Sequence, residues 1–235
     1  MGRITDTVKH LIIINVIFFI GSQLYPVAYD WLSLYYFENP TFQYWQPVTH
    51  MFMHGGIGHI LFNMFGLYMF GSPLEAQWGR KKFLFFYFSA GLGAAFIHSL
   101  VNYLTYHWGV DPLIAEGMTV GQLEGYLSST NYSGYDWWQS FNIPAVGASG
   151  AIYGVLVAFG LLYPNTPLML IFLPVPIKAK YFIPGLLLLD LFSGLTGFSL
   201  FGQNIANWAH IGGAVFGFIM AYYWKKNSFN NRRWN

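Results

Sequence analysis

The sequence predicts an all-α polytopic membrane protein, a six-helix transmembrane bundle, and three observations carry that reading. Of 235 residues, 55% are hydrophobic and only 9% are charged, with a mean hydropathy of +0.41; an ordinary soluble domain is about 25% charged. Six apolar stretches approach the roughly 20 residues that a helix needs to cross a bilayer. Every basic residue then falls on one side of the topology those stretches define. Eleven basic and 9 acidic side chains cannot cover a soluble surface, which excludes an ordinary cytosolic enzyme, a disordered chain and a nucleic-acid binder. The chain has no cysteine, so disulfides, thiolate metal sites and cysteine nucleophiles are excluded as well.

Residues 1–235 read as a single membrane domain with no internal repeat. Span one runs from about His10 to Ala28, and no small-residue cleavage site follows it, so it is not expected to be a removable signal. Span two runs from about Gly56 to Pro73, and span three from Phe83 to about Tyr106. Residues 107–144 form a long outer loop, polar and glycine-containing, with Tyr126, Tyr132, Tyr135, Trp137 and Trp138 suited to the membrane interface. Span four starts near Val146 and stops before Pro164. The apolar stretch Leu168–Pro176 is too short to span and is broken by Pro174 and Pro176, so it reads as a loop or short surface strand. Span five lies between Tyr181 and about Leu195, and span six between about Asn204 and Trp224.

The charges test this count. With an inside N-terminus, Arg3, Lys9, Arg80, Lys81, Lys82, Lys178, Lys180, Lys225, Lys226, Arg232 and Arg233 all lie inside. The outer segments carry Asp30, Glu38, Asp111, Glu116, Glu124 and Asp136 instead. A wrong count would scatter the basic residues over both sides.

Polar residues inside spans are costly and face the protein interior. Three groups stand out. His50, His54, His59 and Asn63, spaced by four, five and four residues, lead into span two on broadly one helical side. Gly147-Ala148-Ser149-Gly150 opens span four and is followed by Tyr153. His210 precedes Gly213 and Gly217 in span six and lies roughly six residues, or about 9 Å, below the outer end. All three groups therefore converge on the outer half of the membrane. Gly150-xxx-Gly154 and Gly213-xxx-Gly217 are small-residue faces that permit close helix approach, which a serine on one helix needs to meet a histidine on another. A hydroxyl, an imidazole and spare donors at one depth are the components of acyl transfer.

Taken singly, each residue has a plainer reading. A serine in a span is commonly a packing residue, and an intramembrane histidine is commonly structural or part of an ion path. Glu75 and Asp190 read as structural hydrogen-bond partners. His50 and His54 have the i, i+4 spacing of a shared metal, but no further ligand lies nearby in sequence, so neither a metal nor a cofactor is expected. A membrane di-iron oxygenase would need more clustered histidines. A proton-coupled transporter would need repeats or paired broken helices.

Together, these motifs resemble the rhomboid family of intramembrane serine proteases, in its six-span bacterial form, over nearly the whole chain. The resemblance implies that Ser149 is the nucleophile and His210 the general base of a dyad with no acidic third member. It implies that His59 and Asn63 stabilise the oxyanion, helped by the Ser149 backbone N–H, and that Tyr153 lies against the imidazole. His54, Gly147, Gly150 and Glu75 are implied to be supporting. Span five and the segment around Phe198–Gln203 would form a gate for a substrate helix. The implied partners are a transmembrane protein substrate and the lipid bilayer. The implied location is a bacterial cytoplasmic membrane, with both termini cytoplasmic and the site opening to the outer side. The long segment between spans three and four departs from the simple bacterial form. The alternative is a rhomboid-like pseudoprotease that binds membrane proteins without cutting them.

Overall fold

A computed structural model of the chain describes residues 3–170, 173–198 and 206–231. Helix α1 (Asp6–Leu24) and the short α2 (Val27–Leu32) lead into an outer segment that carries α3 (Gln46–Thr49) and a single 3-10 turn, His50–Phe52. Next come α4 (Ile57–Gly66), a π turn (Leu67–Gly71) and α5 (Ser72–Trp78), which run on without a break. Span two therefore extends beyond Pro73, where the sequence reading ended it. A proline within a helix clashes with the carbonyl four residues earlier, here Met69. The backbone widens into the π turn over that residue and absorbs the clash. The helix stops at Gly79, whose φ of 78° lies in the left-handed region.

Helix α6 (Arg80–Ala115) is 36 residues long, about 54 Å at 1.5 Å per residue. This exceeds the roughly 30 Å of a bilayer core, so its end projects beyond it. The expected loop from His107 is thus corrected: its first part is helix, and α7 (Val120–Ser128) and α8 (Asp136–Asn142) follow. The reason is an aromatic core of its own. Tyr36, Tyr106, Val110, Leu123 and Trp137 are buried together, and the rings of Tyr106 and Phe141 stack at 5.3 Å. Thr119 and Gln122 close a capping box on α7. Of the aromatics expected at the interface, Trp137 belongs to this core and Tyr126, Tyr132 and Trp138 pack against it, whereas Tyr135 is 57% exposed.

Helix α9 (Ser149–Leu162) has 14 residues, mostly buried. At about 21 Å it is too short to cross the bilayer core unaided. Strands β1 (Pro167–Leu170) and β2 (Leu173–Lys178) pair antiparallel, with Leu168 opposite Ile177. The described residues of the stretch read as a loop or surface strand lie on these two strands. Helix α10 (Ala179–Thr196) and helix α11 (Asn207–Asn231) complete the chain. Helix α11 continues past Trp224, where span six was expected to end. Part of the expected gate, residues 199–203, lies outside the described residues, as do 204–205 and Arg232 and Arg233. Among the described residues, α1, α6 and α10 are long and apolar enough to cross a membrane alone.

Packing centres on α6, α9 and α11. A Cβ on Gly213 would stand 1.8 Å from the Gly150 carbonyl oxygen, and one on Gly217 would stand 2.4 Å from the Gly154 Cα. The α9 and α11 backbones touch, as the two small-residue faces predict. The start of α1 is held differently. Glu75 of α5 accepts hydrogen bonds from the Thr7 and Val8 N–H groups at 3.0 and 2.9 Å and from the Thr5 hydroxyl. These are first-turn donors with no partner inside their own helix, and Thr5 makes no side-chain cap. A carboxylate 70 residues away caps the helix instead.

Candidate active site

The approach to α9 fixes its first residue. Leu34 and Ala145 exchange two backbone hydrogen bonds, of 2.9 and 2.8 Å, and the Gly147 N–H donates to the His50 carbonyl at 2.9 Å. The chain then turns at Gly147, where φ is 120°, a conformation that side chains other than glycine rarely tolerate. Ser149 follows as the first helical residue. Its N–H belongs to the set that an α-helix leaves unpaired at its positive end. The hydroxyl thus sits beside a ready donor for a developing negative charge.

Ser149 and His210 meet across the α9–α11 contact. His210 Nε2 lies 2.9 Å from Ser149 Oγ. The Tyr153 ring, one turn below Ser149, stacks on the imidazole at 4.1 Å with a 9° interplanar angle. On the other edge of the ring, His210 Nδ1 lies 3.0 Å from Asp190 Oδ1 of α10. A carboxylate accepts only, so Nδ1–H donates to it and Nε2 accepts from the serine hydroxyl. The side chains of His210 and Asp190 are 12% and 9% exposed.

The Asp190 contact corrects the sequence reading, which left the imidazole without an acid and read Asp190, within span five, as a structural hydrogen-bond partner. The signal was present, since Asp190 is the one carboxyl inside the apolar fifth span. Its partner, 20 residues away on the next helix, is set by tertiary packing, which no local spacing encodes.

His59 faces the serine from α4. The point where a Cβ on Gly147 would stand lies 2.7 Å from His59 Nε2 and 3.5 Å from Ser149 Oγ. The Gly55 N–H donates to His59 Nδ1 over a long 3.4 Å, which places the proton of the neutral ring on Nε2. A donor and the serine oxygen thus border one atom-sized space. Asn63, one turn further along α4, is buried, and its amide donates to the His59 carbonyl at 2.9 Å. A second amide hydrogen is left over. His54 packs edge-on against His59 at 5.0 Å. The small Gly150 admits Ala94 and the α11 backbone.

The histidine run does not line a polar cavity as a whole. His54 is fully enclosed, and His50 is 5% exposed, with its Nδ1–H donating to the Gln46 carbonyl at 2.9 Å. Only His59 reaches the site. Gln46, which the sequence reading gave no role, is fully buried. It accepts from the Tyr35 N–H at 3.2 Å and donates to the Thr41 carbonyl at 2.9 Å, so it organises the outer segment.

Comparison with known proteins gives the family. A family model described as "Rhomboid domain" matches residues 41–227. The chain is 30% identical over 172 residues to "RHOMBOID-like protein 12, mitochondrial" of Arabidopsis thaliana, which covers 72% of this chain and 43% of that protein. It is 26% identical over 199 residues to "Rhomboid protease GlpG" of Yersinia pestis (strain Pestoides F), covering 85% of this chain and 55% of that protein. The same figures hold for the protein of that name from Yersinia pseudotuberculosis serotype O:3 (strain YPIII). The chain spans about half the length of these relatives. On the match over residues 41–227, with the Ser149, His210 and His59 motifs inside it, the chain belongs to the rhomboid family.

Proposed function

We propose that the chain is an intramembrane serine endopeptidase that hydrolyses a peptide bond in or near a transmembrane segment of another membrane protein. The observation that carries this reading is the 2.9 Å contact between Ser149 Oγ and His210 Nε2, made between two helices at the start of α9. His210 Nε2 takes the hydroxyl proton as Ser149 Oγ attacks the carbonyl carbon, and the carbonyl electron pair moves to oxygen. The Ser149 N–H, His59 Nε2–H and the free Asn63 amide hydrogen are the donors for that oxyanion. The tetrahedral species collapses as the amide nitrogen leaves with the proton from Nε2. Water then releases the acyl group by the same steps in reverse.

A helical substrate must unwind first, because its carbonyls are already hydrogen-bonded. Segments with glycine or proline near the outer face are therefore the preferred substrates. The one-sided distribution of basic residues supports cytoplasmic termini and a site open to the outer side of a bacterial cytoplasmic membrane. The whole chain acts as one membrane domain.

The test is cleavage of a fluorescent transmembrane reporter in liposomes. The wild type cuts it, whereas Ser149→Ala and His210→Ala, folded to the same extent, do not. Cleavage that survives Ser149→Ala would overturn the reading. A folded wild type that binds the reporter but never cuts it would favour the pseudoprotease alternative.

A further inference from the structure

Stacking on Tyr153 fixes the plane of the His210 ring, but a half-turn about the Cβ–Cγ bond would return the ring to that plane with a carbon in place of each nitrogen and leave the stacking intact. Something else must choose between the two orientations. Asp190 Oδ1, 3.0 Å from Nδ1, makes that choice. The buried side chains of α10 are Ala179, Ile183 and Asp190. Ile183 and Asp190 are seven residues apart, so both lie on the face turned to the bundle. A carboxyl in an apolar span is costly unless it has a partner, and this one is aimed at the imidazole.

We propose that Asp190 is a positioning residue that completes Ser149 and His210 into a three-member relay, so that α10 sets the orientation of the base through this one hydrogen bond. The inference rests on the reading of Ser149 as nucleophile and His210 as base. Asp190 keeps Nδ1 protonated and leaves the Nε2 lone pair for the serine proton. When that proton arrives, the carboxylate faces the imidazolium and stabilises it. Asp190 itself takes no proton, and the bonds made and broken remain those at Ser149, the scissile carbonyl and the leaving nitrogen.

The experiment compares the full chain with Asp190→Asn and Ser149→Ala in liposomes, reading kcat, KM and the pH dependence of kcat/KM on the transmembrane reporter. The groups facing His210 are Ser149 and Tyr153 from α9 and Asp190 from α10, with His59 of α4 and His98 of α6 near enough to feel its charge. Of these groups only Asp190 bears a carboxyl, so the amide variant removes the one partner that would favour an imidazolium. Asp190→Asn is expected to lower kcat by roughly 10²–10⁴-fold with KM little changed, and to move the acid limb of the profile to lower pH. A merely structural aspartate would leave that limb in place once the folded fraction is equalised.

If Ser149→Ala is inactive while Asp190→Asn cuts at the wild-type rate with an unmoved profile, the inference alone fails. If Ser149→Ala still cuts, the underlying reading fails and takes the inference with it. Should Asp190→Asn not fold, histidine nitrogen NMR of the unmutated protein decides. The proposal expects His210 to be protonated at Nδ1 when neutral, and protonation at Nε2 would overturn it.

Discussion

Replacing Gly213 with alanine puts the new methyl carbon 1.8 Å from the Gly150 carbonyl oxygen. Ordinary contact needs about 3.5 Å, so the two backbones must separate by roughly 1.7 Å at this crossing. The obstacle is a helix carbonyl, with no flexible side chain to swing away. Gly150 follows Ser149 directly, and Gly213 lies about one turn beyond His210, so the separation is delivered to the 2.9 Å contact between them. Overpacking of this kind destabilises by about 1–3 kcal/mol. A misplacement of about 1 Å lowers turnover by about 10²-fold. The assay is reporter cleavage in liposomes beside a thermal melt. Gly185→Ala is the control: it also adds a methyl group to a helix, but a Cβ there meets nothing within 4 Å. It is expected to leave turnover intact and to stabilise by about 0.5–1 kcal/mol. Wild-type turnover in a folded Gly213→Ala protein would refute the claim that backbone contact between α9 and α11 sets the Ser149–His210 distance.

Two further predictions concern the oxyanion donors and the cap on α1. His59→Ala and Asn63→Ala should each lower kcat by about 10²–10³-fold with little change in KM, measured on the reporter; a loss confined to KM would assign them to substrate binding instead. Glu75→Ala leaves the Thr7 and Val8 N–H groups and the Thr5 hydroxyl without their acceptor. It should destabilise by about 2–4 kcal/mol, seen as a lower melting temperature and faster hydrogen exchange in the first turn of α1. An unchanged melt would show that the interhelical cap is dispensable.

Much of the site was legible because its chemistry is unusual for a membrane interior. Ser149, His210, His59 and Asn63 stand out against apolar neighbours, and the paired glycines on the helices of Ser149 and His210 permit the close approach of α9 and α11. Gly147 was legible only as part of the motif that opens span four; its left-handed turn, beside His59 Nε2 and Ser149 Oγ, comes from the folded arrangement. What was not legible depends on tertiary contacts. Asp190 was visible as an isolated carboxyl, but its partner on α11 was not. Proline suggested a helix end at Pro73, where a π turn instead carries the helix through to Trp78. Polarity suggested a loop after Tyr106, where an aromatic cluster with Trp137 and Phe141 instead draws α6 on to Ala115. In each case a local rule was overridden by packing between segments distant in sequence.

The central claim is that Ser149 is a nucleophile activated by His210. Its most direct test is labelling of the folded protein with a fluorophosphonate, followed by mass spectrometry of the adduct. The account predicts one adduct on Ser149 in the wild type and none in Ser149→Ala or His210→Ala proteins that melt as the wild type does. An adduct on another residue, or equal labelling of Ser149 after His210→Ala, would contradict it.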